Sequence, residues 1–474
     1  MNYRKLLSLF TFILIFIFFL YALSGIFLPF YWDTASFLIP AAENITSFSS
    51  IVHYTTAMTD YPHTFLLPLT LSLFIKIFSQ PLIFIHFFSI LISTSFLLFL
   101  IKISTNLYKS HNFLGLFLVL SFITNPLFLS QTDLVYFEIV GSLFRYLSIY
   151  FLSKDKYKEF SFFSVISFLI RFESGIILPF LGLIHYYFFS RKNKDLLKSV
   201  LSISIITTLW FIYHFSFTGW WVYSPDRSFD EKPLFALIDS LKYLFLYQGR
   251  FAYTSIILIG IAFLFFKKNK FTKRILKKNS FLILSALSSI PVLIIIVKLG
   301  YFIPRYIFPL LLPFYLSIYL ILSKITKRNY LAIIIVTITL STMQILNSHN
   351  CYSINFEDCT SIRGLLVSKL SAVSYLEEFS DKTIYVYHED NNSLLNKTLG
   401  YSDTDFNVVT KFNNSIEIIY ITPTSDGLLY SNALKHNFKL KKTIRFNNHL
   451  CLSPSFLNID CSTNKNTSLF IFTK

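Results

Sequence analysis

Long apolar segments alternate with short polar loops over the first 347 residues of this chain. Each apolar segment is long enough to cross a hydrocarbon core of about 30 Å as an α-helix. A closed β-barrel would instead need strands of about ten residues with alternating polarity, and the sequence shows no such pattern. The pattern therefore predicts an α-helical polytopic membrane protein.

Lysine and arginine gather in the loops between these segments, as in RKNK at 191–194 and KKNKFTKRILKK at 267–278. Such loops stay on the cytoplasmic side of a bilayer, so their positions predict the topology. The first segment ends without a small-residue cleavage site, which indicates an uncleaved anchor with a cytoplasmic N-terminus. About eleven transmembrane helices are expected, near residues 6–30, 81–104, 112–130, 134–153, 158–171, 175–189, 197–217, 251–266, 280–299, 305–323 and 329–347.

Residues 63–79 are apolar but do not fit this count as a crossing. The stretch is short and carries Lys76. The loop with Lys102 and Lys109 is basic and so expected on the cytoplasmic side, which leaves one crossing between residues 63 and 104. We expect 63–79 to form a helix that lies in, or dips into, the outer membrane interface.

From about residue 348 the composition becomes polar and mixed, which predicts two domains, a membrane domain at 1–347 and a soluble domain at 348–474. The second contains one segment with helical spacing of apolar residues and several short segments rich in β-branched and aromatic residues. The expected fold is a small C-terminal α/β domain, with a helix at 368–379 and strands at 384–389, 416–422 and 469–473.

All four cysteines lie in this soluble domain. An even number of cysteines in one soluble segment favours disulfides and hence an oxidising compartment, with four free thiols in a cytoplasmic tail as the alternative. The topology independently places the tail outside, so we predict an inner (plasma) membrane protein with an extracytoplasmic C-terminal domain. The disulfide candidates are Cys351, Cys359, Cys451 and Cys461, either as the two sequential pairs or as the crossed pairs.

The net charge of the chain raises the possibility of nucleic-acid binding, and the distribution of the charges excludes it. The chain has a formal net charge of +17, although only 14% of its residues are charged. A nucleic-acid-binding protein would carry a basic stripe with interleaved aromatic residues, whereas these cations lie in the short loops of the membrane domain. The distribution indicates membrane orientation and no nucleic-acid partner.

Acids and isolated arginines recur at the predicted outer ends of the spans. Basic residues there run against the usual bias and need a reason. A guanidinium binds phosphate with two parallel hydrogen bonds, and a carboxylate near the first span can act as general base toward a hydroxyl. This arrangement predicts a site that moves a group from a lipid phosphate to an acceptor. The candidate residues are Asp33, Glu43, Asp133, Arg171 and Arg305.

Each of these residues also has a purely structural alternative. Asp33 precedes a helical segment and is a suitable N-cap. Arg171 and Glu173 can form an ion pair at a hairpin tip, and Arg305 can extend to the lipid headgroups. Taken singly, these residues favour structure as much as function, and it is their common position that favours function.

Five stretches of the membrane domain resemble, in order, the motifs of GT-C class polytopic glycosyltransferases. The resemblance is to the branch that contains protein O-mannosyltransferases and the lipid A aminoarabinose transferase, and it spans about residues 6 to 345. Two positions depart from that pattern, because Thr34 stands where the branch often has Glu and His63 replaces the second proline of a Pro-Pro pair. The stretches are WDTASFLIPAA (32–42), YPHTFLLPLTLSLFIKIF (61–78), NPLFLSQTD (125–133), IRFESGIILPF (170–180) and PRYIFPLLLP (304–313).

The resemblance implies transfer of a sugar from a polyprenyl-phosphate donor to a lipid, glycan or protein acceptor outside the membrane. It gives Asp33 the role of base, Arg171 and Arg305 the donor phosphate, and Asp133 and Glu43 a supporting role. Some members bind a divalent metal, but no ligand set in this sequence corresponds to one, so the metal stays open. The alternatives are a glycan-joining enzyme of the O-antigen polymerase or ligase kind, and a polytopic transporter or flippase.

Overall fold

The structure of the chain is a computed structural model, and it describes most of the membrane domain and most of the sheet that follows it. The described residues are 3–31, 33–47, 50–51, 64–108, 113–189, 193–221, 233–266, 279–299, 302–326, 329–348, 359–386, 394–409, 411–412, 415–422, 433–445 and 468–474. Cys351, Cys451, Cys461 and His63 lie outside them.

Helices make up nearly all of the described membrane domain. They are α1 Tyr3–Leu23, α2 Ile39–Asn44, α3 Leu66–Ile77, α4 Pro81–Leu107, α5 Leu114–Ile123, α6 Pro126–Leu134, α7 Phe137–Ser153, α8 Tyr157–Ile170, α9 Phe172–Gly175, α10 Leu178–Phe188, α11 Lys194–Thr218, α12 Pro233–Phe245, α13 Arg250–Phe266, α14 Ser280–Leu287, α15 Ile290–Leu299, α16 Phe308–Ile325 and α17 Tyr330–Leu346. A π-helical turn, Thr34–Leu38, precedes α2, and a 3₁₀ turn, Pro304–Ile307, precedes α16.

The apolar helices make this a membrane-embedded protein. Within the described residues, five helical segments are long and apolar enough to cross a membrane, and a sixth is added if α5 and α6 together form one bent span. Each of the eleven predicted spans contains a helix, but several of these helices are shorter than a bilayer requires. Eleven crossings, and the orientation of the bundle, therefore stay predictions.

One predicted span is broken. Residues 112–130 were expected to form one helix, whereas α5 ends at Ile123 and α6 begins at Pro126, with a bend of 63° between them. Pro126 cannot donate the backbone hydrogen bond that a continuous helix needs there. The Asn125 side chain instead accepts hydrogen bonds from the backbone N–H groups of Leu127 (2.9 Å) and Phe128 (3.3 Å), so it caps a new helix.

The short helix α3 packs on the first loop of the chain. Its face with Leu67 and Leu71 is buried, and the Lys76 ammonium donates a hydrogen bond to the backbone carbonyl of Ile45. It also contacts α2, α4 and α8. This is the environment expected for a helix held against the first loop, although the side of the membrane on which it lies is still a prediction.

The C-terminal domain contains the predicted helix and a mixed sheet. The helix, α18 (Ser361–Leu376), begins earlier than expected, and the sheet has the order β2-β1-β3-β5-β4. The first three of these strands are parallel, whereas β5 runs antiparallel to both β3 and β4. The strands are β1 Thr383–Val386, β2 Asn407–Val409, β3 Ile418–Ile421, β4 Lys439–Arg445 and β5 Ser468–Thr473.

The sequence missed β2 and β4. In β4, exposed lysines stand among few apolar residues because this strand is at the edge of the sheet. In β2, only three residues pair, which is too short a run to show alternation. The central strand β3 is buried at every position and was readily predicted from its β-branched residues.

One hydrophobic cluster joins the sheet domain to the first loop of the membrane domain. It contains Leu38 and Leu71 from the membrane part together with Ile362, Leu366 and Ile384 from the C-terminal part. The backbone adds a hydrogen bond from Phe30 N to Leu399 O of 2.9 Å. The C-terminal domain is therefore packed against the segment that carries Asp33.

Cys359 is fully buried beside α18 and is disulfide-bonded. The other three cysteines of the chain lie outside the described residues, so the structure leaves the choice of its partner open. A bonded Cys359 agrees with the predicted oxidising compartment.

Gly175 permits the tight turn between α8 and α10. A Cβ atom at this position would lie 2.6 Å from the backbone nitrogen of Phe168 and closer still to its Cα and Cβ. We predict that Gly175→Ala destabilises the protein by about 1–3 kcal/mol or more, because backbone atoms cannot move aside as a flexible side chain can. The midpoint of thermal unfolding of the purified protein in detergent measures this effect.

Gly115→Ala is the matched control for that substitution. Gly115 lies in α5, and a Cβ atom there would meet Ser104 at an ordinary contact distance of 3.5 Å. Alanine should keep or raise the stability of the protein, since glycine disfavours a helix interior by up to about 1 kcal/mol. Equal effects of the two substitutions would contradict the close packing at Gly175.

Candidate functional site

Asp33 lies at the start of the π-helical turn that leads into α2, and its side chain is 41% exposed. It makes no side-chain capping hydrogen bond to the helix that follows it. The Asp33 carboxylate instead forms an ion pair with the Arg305 guanidinium, 272 residues later in the chain. This pairing, not a cap, accounts for its position in the structure.

Arg305 is one of two arginines joined by a single buried carboxylate, that of Glu138. The Glu138 Oε1 atom lies 2.5 Å from Arg171 Nη1 and 3.4 Å from Arg305 Nε. The Arg171 Nε atom also donates to Glu173 Oε1 at 3.2 Å. The structure thus brings together the predicted base and both predicted phosphate-binding arginines. We call Asp33, Glu138, Arg171, Glu173 and Arg305 the ion-pair cluster.

Two tyrosine rings cover the arginines of the ion-pair cluster. The Arg305 guanidinium lies 4.9 Å from the ring centroid of Tyr136 and 5.6 Å from that of Tyr306. The same Tyr306 ring lies 5.4 Å from the Arg171 guanidinium. A cation beside an aromatic face is stabilised by about 0.5–2 kcal/mol, more where water is excluded. The rings hold both guanidinium planes while leaving their hydrogen-bonding edges for acids or anions.

Glu138 is the central residue that the sequence did not reveal. It stands in the first turn of α7, where the helix dipole favours a negative charge, and only 3% of its side chain is exposed. The local sequence YFEIVGSLF shows an acid inside an apolar run. That signal was available, because a carboxylate within a membrane span is expensive and usually paired.

Arg145 lies on α7 two turns after Glu138 and is fully buried. Its guanidinium lies 5.0 Å from the Tyr146 ring centroid and interacts electrostatically with Glu173 and Arg171. With Arg145 included, three arginines and the three carboxylates of Asp33, Glu138 and Glu173 balance in formal charge within the described part of the chain.

Asp133 is not in contact with the ion-pair cluster among the described residues. Its carboxylate accepts two hydrogen bonds from Arg363 of α18, at 2.6 Å from Nε and 2.7 Å from Nη2. Arg363 also donates to the Ser24 hydroxyl at 2.8 Å and lies 4.0 Å from the Tyr21 ring centroid. Asp133 thus binds the C-terminal domain to the ends of α1 and α6.

A hydrogen bond joins the residue after Asp33 to the residue after Asp133. The Thr34 hydroxyl donates to the backbone carbonyl of Leu134 at 2.5 Å, directly after Asp133. The next residue, Val135, adopts the left-handed conformation (φ 56°, ψ 48°), which is rare for a β-branched side chain and costs on the order of 1–3 kcal/mol. This sharp turn ends α6 and directs the chain into α7, where Glu138 lies.

Glu43 also contacts the C-terminal domain. Its Oε2 atom accepts a hydrogen bond of 3.0 Å from the Asn396 side chain, and within the described residues it forms neither a hydrogen bond nor an ion pair with Asp33. Glu43 and Asp133, the two acids predicted to support the site, therefore both act at the domain contact. Their proposed influence on Asp33 is indirect, through the position of the first loop.

The ion-pair cluster does not resemble a metal site. Within the described residues, no group of three or more histidine, cysteine or carboxylate side chains is arranged to hold a metal ion. The carboxylates of Asp33 and Glu138 face guanidinium groups, which occupy the positions that a cation would take. The chemistry favoured by this arrangement is recognition of an anion, with a carboxylate at its exposed edge.

The Asp133 to Arg363 pair is nearly buried and should contribute strongly to stability. Only 4% of the Asp133 side chain and 18% of the Arg363 side chain are exposed. We predict that Asp133→Ala lowers the free energy of unfolding by about 3–5 kcal/mol, because it leaves a largely buried guanidinium unpaired. The loss is measured as a lower midpoint of thermal unfolding.

Asp239→Ala is the control for this prediction. Asp239 pairs with Lys242 at 3.7 Å, and both side chains are well exposed. Such pairs contribute about 0–1 kcal/mol, so the midpoint should hardly change. A similar small effect for Asp133→Ala would show that the C-terminal domain is held by its apolar contacts alone.

The residues of the ion-pair cluster come from four separate segments of the chain, and only their packing defines the site. Its carboxylates, arginines and two tyrosine rings favour recognition of an anion, and this conclusion does not depend on similarity to another protein. In comparisons with known proteins, no family model matches this chain and no curated protein matches it.

Proposed function

We propose that the protein is a membrane glycosyltransferase that uses a polyprenyl-phosphate sugar. The observation that supports the proposal is that Arg305 pairs with Asp33, while Arg305 and Arg171 both pair with the carboxylate of Glu138. Asp33, Arg171 and Arg305 are three of the five residues that the sequence indicates for such a transfer. The other two, Glu43 and Asp133, contact the C-terminal domain instead.

The exposed member of the cluster is the one suited to react. Asp33 is 41% exposed, whereas Glu138 and Glu173 are each 3% exposed. A donor phosphate that approaches from solvent or from the membrane interface meets Asp33 first. Since the arginines of the cluster are already paired with acids, we propose that the phosphate replaces Asp33 as the partner of Arg305 and leaves the two buried acids in place.

Displacement of Asp33 would prepare it for catalysis. A carboxylate freed from a guanidinium is a better proton acceptor, because its charged form loses a stabilising partner. In the proposed step Asp33 takes the proton of the acceptor hydroxyl, and the hydroxyl oxygen bonds to the anomeric carbon of the sugar. The bond from that carbon to the phosphate oxygen breaks, and the two arginines stabilise the departing lipid phosphate.

Glu138 would set the distance between the two arginines in this mechanism. By pairing with both, it holds their guanidinium groups on one side of α7 with little freedom. Binding a phosphate then requires little reorganisation, which is the condition for effective stabilisation of a leaving group. Glu138 is a positioning residue in this scheme, since it is buried behind the arginines.

The proposal places the reaction on the extracytoplasmic side of the inner membrane, with the C-terminal domain above it. This side follows from the distribution of basic loops, and the disulfide-bonded Cys359 supports it. The domain packs on the first loop and leaves Asp33 partly exposed, so an acceptor would approach between them. The acceptor is a lipid, glycan or protein with a free hydroxyl, and a glycan-joining enzyme of the polymerase or ligase kind remains within the same chemistry.

A transporter or flippase is the second candidate, favoured by the break between α5 and α6. Broken helices with polar residues at the discontinuity are typical of transporter binding sites, and Asn125 lies at this break. Uptake or flipping of a fluorescent polyprenyl phosphate in proteoliposomes, without sugar transfer, would favour this candidate over the enzyme.

The first functional prediction concerns Asp33→Asn. The amide keeps the shape of the side chain but cannot accept the proton, so turnover of a polyprenyl-phosphate sugar should fall by about 10²–10⁴-fold. The midpoint of thermal unfolding should change little, because Asp33 is partly exposed. Donor binding should be kept or strengthened, because the phosphate no longer has to displace a charged carboxylate from Arg305. Asp239→Asn, on the exposed face of α12, should retain normal turnover. A stable Asp33→Asn protein with near-normal turnover would remove Asp33 from the mechanism.

The second functional prediction concerns the two arginines. Arg171→Lys and Arg305→Lys keep the charge but lose the planar pair of donors, so donor KM should rise by about 10–100-fold for each lost charge-assisted hydrogen bond. The effect on kcat should be smaller than for Asp33→Asn. Arg445→Lys, in strand β4, is the matched control. An unchanged KM in both variants, measured with purified protein, would show that Arg171 and Arg305 do not bind the donor phosphate.

A further inference from the structure

A second arginine site lies away from the ion-pair cluster and centres on Arg250. This residue is the first of α13 and is fully buried. Its Nε atom donates to the backbone carbonyl of Tyr243 at 3.0 Å, and its guanidinium lies 4.4 Å from the ring centroid of the same tyrosine. Nη1 and Nη2 have no hydrogen-bond partner in the part of the chain that the structure describes.

No carboxylate compensates this charge among the described residues. Arg250 interacts there with the neutral side chains of Tyr243, Tyr253 and Tyr315. The Tyr315 hydroxyl lies near enough to interact with the guanidinium but outside hydrogen-bond geometry. A buried ionised group without a counterion is destabilising by several kcal/mol, and natural proteins rarely retain one without a function. Inside a membrane bundle such a residue indicates a binding site, and a cation indicates an anionic ligand.

The local backbone increases the positive potential at Arg250. The residue stands at the N-terminal end of α13, where the helix dipole already adds a partial positive charge, and the first turn of α13 contains no acid. Gln248 (φ 52°) and Gly249 (φ 78°) before it are both left-handed. A Cβ atom at Gly249 would lie 2.8 Å from the Met343 carbonyl oxygen, so the chain is held firmly against the end of α17.

In a neutral polar network beside Arg250, the Tyr315 hydroxyl is available to donate a hydrogen bond to a ligand. The Tyr315 oxygen accepts hydrogen bonds from the side-chain amides of Asn125 and Gln344, each at 2.6 Å. Gln344 in turn accepts from the hydroxyls of Tyr253 at 3.1 Å and Thr124 at 2.9 Å. Because the Tyr315 oxygen already accepts twice, its own proton is directed to a further acceptor.

The network lies at the break between α5 and α6. Thr124 and Asn125 fill the gap where the two helices bend by 63°. Discontinuous helices inside membranes usually line a site, since their free backbone ends and polar residues are tolerated only beside protein or ligand groups. Arg250 therefore combines an unpaired charge with a polar environment suited to a ligand.

We propose that Arg250 forms a second anion site that binds a phosphate group. Two parallel donors of a guanidinium fit two oxygens of a phosphate, and the Tyr315 hydroxyl would donate to a third. Tyr315 follows Arg305 by ten residues on the same helical segment. The Cα atoms of these two residues are therefore about 15 Å apart along the helix axis. The site is independent of the proposed sugar transfer, because it rests on Arg250 and its neighbours alone.

The test is phosphate binding by the full-length protein in nanodiscs of phosphatidylcholine. Two probes distinguish the source of the phosphate, inorganic phosphate in solution and phosphatidic acid in the bilayer. Each probe should raise the thermal unfolding midpoint of Arg305→Gln, a background that weakens the ion-pair cluster. Adding Arg250→Met should raise the dissociation constant of each probe by at least about 100-fold, since two charge-assisted hydrogen bonds are lost.

Further variants keep the outcome decisive. Arg250→Met removes an unpaired buried charge, so without probes its unfolding midpoint should equal or exceed that of its parent. If that protein is not recovered, Arg250→Lys should still weaken probe binding, because it retains charge without the paired donors. A response to inorganic phosphate identifies a free anion, and a response to phosphatidic acid alone identifies a lipid phosphate.

Two results would overturn the inference. The first is a probe response that persists unchanged after Arg250→Met and Arg250→Lys. The second is a response of the wild-type protein that disappears with Arg305→Gln alone, which would place the phosphate at the ion-pair cluster. The latter result would support the proposed transferase while removing the Arg250 site, so failure of the two proposals can be told apart.

Discussion

The structure depends on the pairing of charges inside an apolar helical bundle. Arg305 and Arg171 are carried by segments far apart in sequence, and Glu138 forms an ion pair with each of them at the start of α7. A charge in such surroundings is tolerated only with a partner, so each pair fixes the relative positions of the helices that carry it. Removing Glu138 would leave two arginines to be solvated by an apolar environment. The same ion pairs thus fix both the position of the candidate site and the packing of this part of the bundle.

The contact between the two domains follows the same rule. Asp133 and Arg363 pair at the ends of α1 and α6, and Glu43 accepts from Asn396 nearby. Around these polar contacts, apolar residues of the first loop, α3, α18 and the sheet form one cluster. The loop with Asp33 is therefore supported from both sides, by Arg305 in the membrane domain and by the packed C-terminal domain. Such support is what a reactive carboxylate on a loop requires to hold its position.

Arg250 is the exception to this pairing, and the exception is informative. In the ion-pair cluster both arginines pair with carboxylates, whereas Arg250 interacts with neutral tyrosines and has two donor groups without hydrogen-bond partners among the described residues. Both sites lie at irregular backbone, a left-handed Val135 before Glu138 and a left-handed Gln248 before Arg250. Strained backbone persists where the surrounding contacts over-determine it, and it is concentrated at functional sites. The two sites differ in that one has internal counterions and the other requires an external anion.

The sequence by itself determined the properties that depend on local composition. Runs of apolar residues were enough to predict a helical membrane protein, and β-branched segments such as Ile418–Ile421 were enough to predict a C-terminal sheet. Isolated charges beside apolar runs were also visible, which is why Asp33, Arg171 and Arg305 could be selected. Which charges meet was decided only by the tertiary structure. Asp33 pairs with a residue 272 positions away, and Asp133 pairs with Arg363 instead of supporting Asp33 directly. Ion pairs between distant segments depend on the register and rotation of packed helices, and a one-residue rotation of about 100° would present a different side chain.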